Sequence, residues 1–94
     1  MGILNFMYNY NTEKPKIFTE DGQVTFIKIR DNVKRLLEVA GAVRATEAWG
    51  GVYGDNWLML ACLDRLVELG EIRELQNPRC WSQYRVFIAA NKEA

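Results

Sequence analysis

The chain of 94 residues is long enough for one domain with a single hydrophobic core and too short for two. Twelve basic residues balance twelve acidic ones and the pI is near 6.2, which excludes a broadly cationic surface; any basic patch must be local. An apolar share of 49% with only two prolines excludes a disordered chain.

Residues 1–22 read as an N-terminal arm. Ile3, Leu4, Phe6, Met7, Tyr8 and Tyr10 alternate with Asn5, Asn9 and Asn11, richer in aromatics than a flexible tail. Two uses compete: packing on the chain's own core, or a dimerisation arm or added strand, with Phe6, Tyr8 and Tyr10 as the contacts to a protein partner. Lys14-Pro15-Lys16 marks a break after it.

Residues 17–29 admit two readings. Asp21-Gly22 could turn a hairpin. Alternatively, Thr25 caps a helix running to Ala40, because Phe26, Ile29, Val33, Leu36, Leu37 and Ala40 follow helical steps. The helix is favoured, with Gly41 ending it. Its opposite face carries Lys28, Arg30, Lys34 and Arg35 against Asp31 and Glu38, for a net charge of +2.

Ala42–Ala45 is expected to be briefly extended. Thr46 can cap a short helix over Glu47-Ala48-Trp49. Trp49, Val52 and Tyr53 are expected to fill the space between helices, and Gly50, Gly51 and Gly54 supply a turn. Asp55 is a good N-cap for the next helix. Met59, Cys62, Leu63, Leu66 and Val67 form its inward stripe, and Gly70 fits a left-handed C-terminal cap. Asn56, Trp57, Leu60, Ala61, Asp64 and Glu68 then fall outward or at the margins.

The period changes next. Ile72–Leu75 reads as a strand, Asn77-Pro78 interrupts, and Tyr84–Ile88 reads as the returning strand. The loop between them, Gln76 to Gln83, is longer than a tight hairpin turn. Residues 91–94 are a short polar tail.

These residues carry a resemblance. CLDRLVELGEIREL followed by YRVF resembles the winged helix-turn-helix family, over roughly Ile27 to Ile88. The resemblance implies an α+β fold of three helices with a two- to three-stranded antiparallel wing, here residues 23–90. It further implies duplex DNA binding by a dimer in transcription regulation, with no cofactor. The helix after Asp55 would enter the major groove.

The charges qualify that implication. From Asp55 to Gly70, Asp55, Asp64 and Glu68 outweigh Arg65, a net −2 on the helix expected to face phosphate. Asn56 can read adenine; Trp57 and Leu60 look more like a protein contact. The wing is better suited, with Arg73, Arg79 and Arg85 for phosphate and Trp81 for stacking or wedging. A structural explanation competes for each: the arginines pair with Glu71 and Glu74, and Trp81 covers the hairpin. The candidate nucleic-acid set is therefore Asn56, Trp57, Arg65, Arg73, Arg79, Trp81 and Arg85. Phe6, Tyr8, Tyr10, Trp57 and Leu60 form the candidate set for a protein partner, the alternative function.

Enzymatic readings find little. There is no histidine and no zinc-ligand set, and Gly50–Gly54 lacks the lysine and spacing of a phosphate loop. Cys62 reads as a core residue and Cys80 as an incidental thiol in the wing. No apolar run reaches membrane-spanning length and the first residues lack signal-peptide flanks, so a cytoplasmic location is expected.

Overall fold

The structure, a computed structural model, describes residues 8–75 and 85–90. The described chain is α+β, with four helices and a three-stranded antiparallel sheet. The elements are α1 (Tyr10–Ile17), α2 (Glu20–Ala40), β1 (Val43–Arg44), α3 (Ala45–Ala48), α4 (Asn56–Glu68), β2 (Ile72–Glu74) and β3 (Val86–Ala89).

The first helix was not expected. Asn9 starts it by accepting hydrogen bonds from the amides of Asn11 and Thr12. Proline at 15 does not break it. The proline costs one backbone bond, but the helix lasts only two residues more, and the Phe18 amide closes it by donating to the Pro15 carbonyl at 3.1 Å. Burial of Ile17 against α2 and α4 outweighs the missing bond.

The second helix begins five residues before the expected Thr25. Thr19 caps it, its hydroxyl accepting from the Gly22 amide at 3.0 Å, and Glu20 and Asp21 suit the positive end of the dipole. The hairpin alternative at Asp21-Gly22 is thereby excluded, and the end expected for the arm, residue 22, lies in the first turn of α2. Gly22 has a packing role. A β-carbon there would stand 1.9 Å from the Lys16 carbonyl oxygen, so only glycine lets α1 and α2 approach this closely. Gly41 ends α2 at φ 80°.

Between α2 and α4 the chain is tied rather than loose. The short helix starts at Ala45, one residue before the expected cap Thr46, because the Ala45 amide is held by the Arg85 carbonyl at 2.9 Å. Glu47 then accepts from the Arg44 amide. Asn32 of α2 donates to the carbonyls of Ala48 and Gly50, both at 2.9 Å, and so fixes the turn leading into α4. Val52 is buried and Trp49 packs on the core, as expected, but Tyr53 points outward.

Helix α4 starts at the Asp55 cap, as its sequence predicts, and ends on Gly70 at φ 78°. The Glu71 amide returns to the Leu66 carbonyl and the Gly70 amide to that of Val67, satisfying the last carbonyls of the helix. The sheet order is β1-β3-β2, with Phe87 facing both Val43 and Glu74. Phe87 is fully buried at the centre, against a core of Ile29, Val33, Cys62, Leu63, Leu66 and Ile72.

Candidate interaction surface around the fourth helix

Helix α4 is enclosed on most of its circumference. Met59, Cys62, Leu63 and Leu66 face the core as expected. Two of the positions expected outward or at the margins are buried, while Asn56, Trp57 and Glu68 are exposed. Leu60 is 3% exposed and Ala61 is fully buried. Leu60 is therefore removed from the candidate partner contacts. The signal was present: Trp57-Leu58-Met59-Leu60-Ala61-Cys62-Leu63 is apolar all round a helix, the pattern of an interior helix rather than an amphipathic one.

Helix α1 covers α4, held by the buried Ile17 and by a set of polar contacts. Tyr8 donates its phenol proton to Asp64. Tyr10 donates to Glu68 at 2.6 Å, and Lys14 reaches the same carboxylate at 3.0 Å. Lys16 lies 3.6 Å from Asp55, so α1 runs antiparallel to α4. Arg65 bonds Glu68 at 3.0 Å and lies over the Phe18 ring, 5.3 Å from its centroid. The described part of the arm, with Tyr8 and Tyr10, thus packs on its own chain.

The titration behaviour follows from these contacts. Bonds from Tyr10, Lys14 and Arg65 pull the Glu68 carboxyl down to about 2. Burial, then the bond to Asp64, pushes the Tyr8 phenol well above its ordinary value; burial and Glu68 do the same to Tyr10. Burial alone pushes the Cys62 thiol up to about 12, which suits an inert core residue.

On the neighbouring flank Arg85 is consumed inside the protein. Its guanidinium meets Glu74 at 2.7 and 2.9 Å and Asp64 at 2.6 and 3.3 Å, a doubly bidentate arrangement. Burial works against its charge, but Glu74 and Asp64 outweigh burial and hold its pKa above the ordinary value. Arg85 is thus a tie between α4 and the hairpin, not an outward phosphate contact. The Glu74 partner was among the sequence alternatives. Asp64 was missed because helix and hairpin meet only in the folded chain.

Both ends of α4 are accessible: Glu68 and Leu69 are exposed at the C-terminal end, and an aromatic patch is exposed at the N-terminal end. Asn56 is exposed, Trp57 is 38% exposed, and Tyr53 in the preceding turn is 91% exposed. Gly51 (φ 76°) and Gly54 (φ 128°) give this turn its path. Asp55 is the one acid here, and Lys16 offsets it. Arg44 and Arg73 are exposed on the outer strands, whereas Arg65 is half-buried. Phe6, Arg79 and Trp81 lie outside the described residues, as does Cys80. Among the described residues no cluster could hold a metal ion, and no helix is long and apolar enough to cross a membrane.

Comparison with protein-family models, curated proteins and solved structures finds no match.

Proposed function

We propose that the chain is a winged-helix module that contacts duplex DNA through the N-terminal end of α4, in a regulatory role. The order of elements from α2 onward supports the winged-helix reading. Helix, strand, helix, helix and hairpin follow one another, and β3 lies between β1 and β2. The observation that carries the DNA reading is the exposure of Asn56 and Trp57, at the start of the second helix of a helix-turn-helix, while most of that helix is covered. N-terminal residues of such a helix are those that meet base edges. Asn56 suits adenine, and the exposed Arg44 and Arg73 of the outer strands are candidate phosphate contacts.

The test is fluorescence anisotropy of a random-sequence duplex at low and physiological salt. A small phosphate footprint of two or three contacts gives a log–log salt slope of about −2 to −3. Asn56→Ala and Trp57→Ala should weaken binding, and Arg73→Ala should flatten the slope by about one. No binding at low salt would defeat the reading.

The exposed pair Tyr53 and Trp57 favours a second reading, a protein-interaction module with an aromatic anchor at this same end. It predicts a partner lost in Trp57→Ala and no salt-sensitive affinity for DNA.

A further inference from the structure

The second half of α2, the end of α4 and the sheet line a concavity of about 480 Å³. Its size falls within the range of small-molecule sites. The floor is apolar: Val33, Leu66 and Ile72 are nearly or fully buried. Four charges ring it, Arg30, Lys34 and Glu38 from successive turns of α2 and Glu71 from the approach to β2.

These charges are not spent on one another. Among the described residues Lys34, Glu38 and Glu71 enter no ion pair. Among the described residues the Nε of Arg30, shielded from solvent, has no hydrogen-bond acceptor; the Asp31 carboxylate, 3.9 Å away, is too far to serve. The Nε is closed to a ligand as well as to water, but the Arg30 side chain is 37% exposed and its terminal nitrogens can meet a carboxylate. An acid alone would also meet Glu38 and Glu71, so a matching ligand carries a positive group as well. Lys34 and Glu38 are one turn apart, about 6 Å along the helix, so flexible side chains can reach two groups borne on one carbon.

We propose that this concavity binds a small apolar zwitterion, a free α-amino acid with an aliphatic side chain. Its carboxylate meets Arg30 and Lys34, its ammonium faces Glu38 and Glu71, and its side chain lies on Val33, Leu66 and Ile72. The site is separate from the α4 surface and does not depend on DNA binding.

Leucine, 4-methylpentanoate and 3-methylbutylamine, each titrated to about 10 mM, a range that detects millimolar affinity, test the assignment by amide chemical shifts. Leucine should give saturable shifts at Val33, Leu66 and Ile72, with the acid and the amine each binding at least about tenfold more weakly. Arg30→Gln should weaken leucine about tenfold or more, and Lys28→Gln, an exposed change on the same helix, should not. If Arg30→Gln fails to fold, Lys34→Gln carries the same expectation. Absence of shifts with leucine would overturn the site, as would unchanged affinity in Arg30→Gln or, where that variant does not fold, in Lys34→Gln. Equal binding of the acid or of the amine would overturn the zwitterion.

Discussion

Replacing Arg85 with alanine removes the one cation shared by Asp64 and Glu74 and leaves two carboxylates facing each other. The three side chains are 16%, 18% and 30% exposed respectively. Breaking a fully buried pair costs about 3–5 kcal/mol, and partial access of water here should reduce that to about 2–3 kcal/mol. For a domain of this size the loss corresponds to a fall in Tm of about 10–20 °C. Urea or thermal denaturation at neutral pH, followed by tryptophan fluorescence, measures it. The double variant Asp64→Asn with Arg85→Met should recover a good part of the loss, because no carboxylate of the pair is then stranded on α4. A single-variant loss below about 0.5 kcal/mol, the size of an ordinary surface change, would refute the reasoning. Arg85 would then be free to serve as a phosphate contact.

Further outcomes follow from other contacts. Leu60→Ala should cost about 2–4 kcal/mol in urea denaturation, as a buried truncation does, and a change within about 0.5 kcal/mol would return Leu60 to the surface. Gly22→Ala forces a β-carbon against the Lys16 carbonyl and should cost about 2–3 kcal/mol through overpacking; a neutral result would show that α1 and α2 are less close. Glu68 is held at about 2 against an ordinary 4.5, so its stabilising contribution is present above 4.5 and is lost as pH falls toward 2. Wild type should therefore lose stability relative to Glu68→Gln across that window, and parallel pH profiles would remove the Tyr10–Glu68–Lys14 contacts from the structure.

The parts of the fold that rest on local chemistry were readable in the sequence. Asp55 as an N-cap, Gly41 and Gly70 as helix ends, and the strand beginning at Ile72 each depend on residues within a turn of one another. The start of α2 was missed because Gly22 looks like turn punctuation, and only its contact with the Lys16 backbone explains a glycine inside a helix. Pro15 misled for a related reason. Its local penalty is real, but the burial of Ile17 exceeds it.

The interaction surface was less readable. Trp57 and Asn56 keep the exposure that helical spacing assigns them. Leu60 does not, because a helical wheel drawn with one inward stripe hides a helix covered on several sides. Nor could spacing reveal that Arg85 of the hairpin and Tyr8 before α1 would both converge on Asp64, 21 and 56 residues away in the chain.

The most direct measurement is amide chemical-shift mapping during titration with a short duplex. Contact at the start of α4 predicts shifts at Tyr53, Asn56 and Trp57, with Asp64 and Glu68, which Tyr8 and α1 hold, unmoved. Shifts centred on Asp64 and Glu68 would mean that α1 lifts and the far face of α4 meets the DNA, and no shifts at all would mean that DNA is not the ligand; either result contradicts the proposed contact.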